Sequence, residues 1–266
     1  MHVMEEINRG TWRAPLSLRG YRQINGHIDP GEKRVFELAL MRFRGGRFLD
    51  IGVGGGRTAA LLARHAGSYL GIDYTPEMVE VARVNHPDFD FQLMDARNMR
   101  ALDDGSQDLV VFSYNGLDSV DPQGRLAILK EVNRVLAPGG AFVFSTFHRD
   151  WHGFRQGPSS ADVVPPTSNP LLLGLRYYRY AVGALRARGR RRHEVRNGEH
   201  AILLHHAHYF GIMVYATTIA QINGQLAEAG FATPTNIFDE HGAEISGQIP
   251  AETQYVHVFA EKPAWS

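Results

Sequence analysis

The chain has 266 residues, 44% hydrophobic and 21% charged, and its formal net charge is zero, the composition of an ordinary globular protein. It contains no cysteine, which excludes disulfides, thiolate nucleophiles and Cys-ligated zinc or iron–sulfur centres. No window approaches the ~18 apolar residues of a membrane span, and the opening "MHVMEEINRG" is acidic where a secretory leader is basic, so a cytoplasmic location is expected.

In chain order, residues 1–45 are expected to form a helical cap or lid. Residues 46–147 then alternate short apolar runs with amphipathic stretches. "RFLDIGV" (47–53), "SYLGID" (68–73), "FDFQLMD" (89–95), "QDLVVFSY" (107–114) and "GAFVFSTF" (140–147) read as strands. "RTAALLARHA" (57–66), "PEMVEVARVN" (76–85) and "PQGRLAILKEVNRVL" (122–136) read as helices, the last stopped by "APGG". Residues 148–210 break the rhythm with a Pro/Ser loop (157–170), an apolar, Arg-rich stretch, and two strand-like runs around Asn197-Gly198, a type I′ hairpin signal. Residues 211–266 resume it with a helix (217–231) and two terminal strands. Apolar strands separated by helices predict a doubly wound, mostly parallel α/β sheet covered on both faces.

"DIGVGGGRT" (50–58) packs four glycines directly after the first strand. Missing Cβ atoms permit positive φ and close approach of a ligand to the main chain, and the helix behind offers unpaired N–H groups. The stretch fails the dinucleotide pattern G-x-G-x-x-G, because the sixth position from Gly52 is Arg57. It fits Asp-x-Gly-x-Gly-x-Gly, headed by Asp50. Asp73 ends the second strand, where a carboxylate accepts both hydroxyls of a ribose. Asp95 ends the third, where it can accept from an adenine amino group. Three acidic strand ends suit a cationic ligand better than a pyrophosphate.

In these features residues 47–147 resemble the core of a class I S-adenosylmethionine-dependent methyltransferase: "LDIGVGGGRT", "GIDYTPEMVEVAR", "MDARNM", "DLVVFSYNGLDSV" and "EVNRVLAPGGAFVFS" follow in the family's order. The resemblance implies a seven-stranded sheet and S-adenosylmethionine as cofactor, leaving as S-adenosylhomocysteine. It implies that Gly52, Gly54 and Gly56 approach the methionine part, Asp73 holds the ribose, Asp95 and the Ala96 N–H read the adenine, and Tyr74 and Met99 flank its faces. Tyr21 and Arg22 of the cap are candidates for the cofactor carboxylate, and His27 for the substrate side.

Methyl transfer needs a nucleophile held near attack and water kept out, so its sequence signature is thin. The loop opening at Ser113, "SYNGLDS" (113–119), lies beside the sulfonium in this fold, and its Asn115 and Asp118 are candidates for orienting an acceptor. In "HHAHYF" (205–210), strand alternation puts His206 and His208 on one side, with Tyr209 and Tyr215 nearby; a base or substrate contact is one reading and plain exposed histidines another. No metal site is assigned.

Between Phe147 and Glu199 there are ten Arg, no Lys and four acidic residues, a local excess of six positive charges. A lid over a small-molecule acceptor is the first expectation for this 148–210 insertion. Peripheral membrane contact through 171–192 is the second and nucleic acid the third. The expected activity is methylation of a nitrogen or oxygen of a small molecule. A lipid or RNA acceptor, or cofactor binding without turnover, are the alternatives. The oligomeric state is not legible.

Overall fold

The computed structural model describes residues 3–22, 27–155, 169–198 and 200–264; most of the predicted Pro/Ser loop lies outside them. The helices form where chain chemistry starts them. α1 (Val3–Trp12) and α2 (Pro15–Tyr21) make the cap. α3 (Pro30–Arg42) begins with Asp29 accepting from the Glu32 N–H at 2.9 Å and Pro30 in its first turn. α4 (Ala59–His65), α5 (Pro76–Asn85) and α6 (Pro122–Val135) follow, the last capped by Asp121. α7 is Pro170–Arg190, and α8 (Ile219–Glu228) opens with a Thr218/Gln221 capping box.

The strands are β1 (Arg47–Ile51), β2 (Ser68–Asp73), β3 (Asp90–Leu93), β4 (Gln107–Phe112), β5 (Leu136–His148), β6 (Val195–Arg196), β7 (Ala201–His205), β8 (Ile212–Thr217), β9 (Asn236–Asp239) and β10 (Tyr255–Glu261). Seven of them form the expected sheet in the order β3-β2-β1-β4-β5-β10-β9, with β10 antiparallel to both neighbours. The other three take the sheet to ten strands. β5 overshoots β4, whose pairing ends at Phe144, and its last residues Phe147 and His148 pair with Ala216 and Thr217 of β8. β8 then carries β7 and β6 antiparallel. The insertion is thus grafted onto the carboxyl end of β5.

Apolar residues fill both faces. Val35, Phe36 and Ala39 of α3 pack with Phe48, Leu109 and Val143 on one, while Ile128, Val132 and Leu226 of α6 and α8 pack with Leu49, Val110 and Phe142 on the other. The cap is tied in by α1, where Asn8 donates to the Met213 carbonyl and accepts from its N–H, both at 2.8 Å.

The predicted hairpin forms between β6 and β7, with the Asn197 N–H bonded to the His200 carbonyl at 3.0 Å. Two local expectations change. β8 is an added strand. "HHAHYF" is not a strand beyond His205: His208, Tyr209 and Phe210 have φ of 52°, 57° and 55°, a left-handed turn. That turn destroys the alternation, so His206 and His208 do not share a strand face.

Candidate active site

The glycine turn joins β1 to α4 at the carboxyl ends of the parallel strands, where ligands bind in such sheets. Gly52, Gly54 and Gly56 have φ of +66°, +54° and +82°, which side chains rarely adopt. Gly55 serves differently: a Cβ there would lie 2.1 Å from the Tyr21 carbonyl oxygen. α2 therefore ends directly on the turn, and the Tyr21 ring lies against Gly54, 3.3 Å from where its Cβ would be. Burial, with Asp73 next, pushes the Tyr21 phenol up to about 12. Arg22 is exposed at the helix end.

Asp73 is buried and accepts from the Gly54 N–H at 3.1 Å on one oxygen and the Thr75 N–H at 2.8 Å on the other. Burial raises its pKa against these bonds and further ones from Thr75 and Tyr74. Each carboxylate oxygen can accept more than one hydrogen bond, which suits the pair to a diol. Tyr74, next in sequence, has a buried hydroxyl without a partner among the described residues. Its ring meets Trp12 edge-on at 6.2 Å and the Arg9 guanidinium at 5.0 Å, so α1 covers this side.

The other acidic strand ends depart from the expected rim. Asp50 is 1% exposed and lies beneath the turn, accepting from Thr58 at 2.8 Å and Tyr69 at 3.0 Å; burial pushes its carboxyl up to about 6. It braces the turn from below. Asp95 is engaged by Arg97 through its backbone N–H and guanidinium, at distances down to 2.6 Å; burial pushes its carboxyl up, but these bonds outweigh it and hold it below the usual range. Arg97 also reaches Glu5 of α1 at 3.0 Å. Ala96 is buried, and Met99 is a core residue with no exposed surface rather than a flank of the site.

The β4 loop carries backbone strain. Tyr114 and Asn115 both have positive φ, 54° and 59°, a conformation that costs non-glycine residues about 1–3 kcal/mol and gathers at functional sites. The Asn115 N–H donates to Ser145 Oγ at 2.7 Å, while Asn115 Oδ1 is buried with no partner among the described residues. Ser113 accepts from Arg57 at 3.1 Å.

Asp118 does not reach this space. It has no exposed surface, pairs with the equally buried Arg125, and accepts from Thr146 at 2.8 Å and the Phe147 N–H at 2.7 Å. It fastens the β4 loop to β5 and is withdrawn from the acceptor-orienting role. His208 lies against the cap, with Nδ1 3.3 Å from Ser17 on α2. Tyr209 lies under the Arg179 guanidinium, 5.7 Å from its ring centre, and His206 is exposed, its ring 4.2 Å from that of buried His205.

Two groups were not foreseen. Arg57 binds Glu32 of α3 at 2.7 Å and 2.5 Å, the His27 carbonyl at 2.7 Å and Ser113, and stacks on Tyr114 at 5.0 Å, joining cap, glycine turn and β4 loop. Its sequence position had served only to break a dinucleotide pattern. Next to it, Asp29 accepts from Tyr255 at 3.1 Å and lies 2.9 Å from His257 Nε2. Burial raises the Asp29 carboxyl, but His257 and the other donors prevail and bring it down to about 2. The one signal for it was the Asp-Pro-Gly-Glu start of a helix.

Comparison with known proteins bears on this arrangement. Residues 48–140 match the methyltransferase domain family. A ubiquinone biosynthesis O-methyltransferase of Xanthomonas campestris pv. campestris is 33% identical over 130 residues, 47% of this chain and 53% of that protein. An uncharacterized methyltransferase of Synechocystis is 31% identical over 122 residues, 45% of this chain and 57% of that one. The chain spans about half the length of the curated relatives it matches. Among solved structures, the 1,6-didemethyltoxoflavin-N1-methyltransferase of Burkholderia thailandensis, seen with S-adenosylhomocysteine, aligns over 99% of this chain and 92% of its own at 15% identity, with a TM-score of 0.59. At that identity the likeness is one of fold.

Proposed function

We propose that this chain, whose residues 48–140 match the methyltransferase domain family, is a class I S-adenosylmethionine-dependent enzyme that moves a methyl group from that cofactor to a nitrogen or oxygen of a small molecule. The residues present fit the cofactor: a turn of positive-φ glycines for its close approach, and a buried Asp73 suited to the ribose hydroxyls. Bound S-adenosylmethionine supplies a methyl carbon activated by the adjacent sulfonium. The protein's part is to bind, orient and exclude water.

The observation that carries the acceptor reading is Asn115. Its strained backbone and buried Oδ1, without a partner among the described residues, form an acceptor group held ready beside the cofactor turn. An N–H or O–H of the substrate would satisfy it and be aimed by it. Tyr114, Arg57 and the Tyr255–Asp29 pair would form the surrounding wall, under α2 and the α3 start. Asp29 is too weak a base at about 2 to take a proton at neutral pH, so its role is to hold Tyr255 and His257.

The test is a tracing experiment. Purified protein and methyl-labelled S-adenosylmethionine are incubated with cell extract divided into metabolites, lipids, RNA and protein. Label in the metabolite fraction is the expected result. Label confined to lipid or RNA overturns the small-molecule reading, and S-adenosylhomocysteine binding without label in any fraction favours a binding protein.

A further inference from the structure

α7 is built inside out. Leu171, Leu175, Tyr178, Val182 and Leu185 follow one another at alternating spacings of four and three, which lines them along one side of a helix. That side faces away from the protein: Leu171 is 84% exposed, Tyr178 68% and Leu185 72%. On the opposite side, Gly183 and Ala187 are buried against the left-handed turn. There Arg186 donates to the His208 carbonyl at 3.2 Å and Arg190 to the Phe210 carbonyl at 2.8 Å. An ordinary surface helix turns its leucines in and its arginines out. A contiguous exposed apolar stripe marks an interaction surface.

Charge decides among occupants. From Pro170 to His193 there are seven Arg and no acidic residue. Packing this stripe against its copy in a second chain would oppose two such runs with nothing to neutralise them. A surface that accepts leucine and tyrosine side chains while carrying dense negative charge matches both properties, and an anionic bilayer has that chemistry. The exposed Arg188 and Arg192 have stems long enough to reach phosphates beside the stripe while the leucines enter the acyl boundary. At 21 residues the helix is about 31 Å long, and no described helix is apolar enough to cross a membrane. It would lie flat.

We infer that the outward stripe of α7 docks the protein on anionic lipid membranes. This goes beyond the methyl-transfer reading and is independent of it, because the test reads partition and not turnover. The full chain is floated with vesicles of phosphatidylcholine containing phosphatidylglycerol, and with vesicles of phosphatidylcholine alone. Binding to the first and not the second, weakened by salt, is expected. The double variant Leu175→Glu/Leu185→Glu, whose changes fall on exposed positions, should keep the helical circular dichroism signal and lose about tenfold or more in partition. No binding to the anionic vesicles overturns the proposal, as does binding that the double variant leaves unchanged. A dimer in solution that the double variant dissolves, with no vesicle binding, assigns the stripe to a protein partner instead.

Discussion

The carbonyl oxygen of Tyr21 lies where a side chain of residue 55 would have to go, 2.1 Å from the Cβ position of Gly55. One glycine of the cofactor turn is therefore there for the cap. Gly55→Ala should leave the sheet intact but push α2 off the turn, at a cost of about 1–3 kcal/mol for the overpacked contact. Faster hydrogen exchange across residues 3–22, with unchanged protection in β1 and β4, is the expected readout.

Asp73 is the carboxylate best placed for the ribose. Asp73→Ala should weaken S-adenosylhomocysteine binding by about tenfold to a hundredfold, the equivalent of one charge-assisted hydrogen bond or slightly more. Titration calorimetry measures it. Affinity equal to that of the unaltered protein would remove Asp73 from the role.

At Asn115, backbone and side chain can be separated. Asn115→Gly keeps the positive φ without strain and deletes the amide, so it should raise the acceptor KM or lower kcat while S-adenosylhomocysteine affinity holds. Asn115→Ala adds about 1 kcal/mol of left-handed strain and should also lower the unfolding midpoint. If both variants turn over normally, Oδ1 faces no substrate.

Removing Asp118 leaves Arg125 buried without its partner. Asp118→Ala should cost about 3–5 kcal/mol in urea unfolding, and Asp118→Asn, which keeps an acceptor for Arg125, should cost less. A loss of activity with no loss of stability would return Asp118 to the acceptor site.

Asp50 gives a pH signature. Its carboxyl is pushed up to about 6 in the folded protein and titrates near 3.9 when unfolded, so the folded state holds the proton more tightly. That contribution is full below about pH 4 and is lost as pH rises through about 6. Asp50→Asn should flatten this fall, by about 3 kcal/mol at most, in unfolding curves taken across the window. An unchanged pH slope in the variant would mean that Asp50 ionises normally inside the protein.

The parallel core was legible because its signals are local: an apolar run, a glycine or proline, then an amphipathic stretch. Helix 76–85 came out with the bounds predicted for it. What stayed hidden was pairing at a distance. Arg57 finds Glu32 and Ser113, 25 and 56 residues away, and no period connects them. Asp118 reads as a loop residue until Arg125 folds back on it. The left-handed turn at His208–Phe210 contains no glycine before Gly211 to announce it, so alternation was carried one turn too far. Asp50 and Asp73 look alike at strand ends, and only the third dimension puts one beneath the turn and the other beside it.

The two 2.8 Å bonds between Asn8 and the main chain of Met213 have a consequence for solubility. An amide that gives to a carbonyl and takes from an N–H of the same residue stands in for a neighbouring strand. Open sheet margins template pairing between molecules, and proteins blunt them. Here a single asparagine on an N-terminal helix does so at Met213, ahead of where β8 meets β5, and a chain trimmed of its first dozen residues would leave that stretch of β8 open on its β5 side.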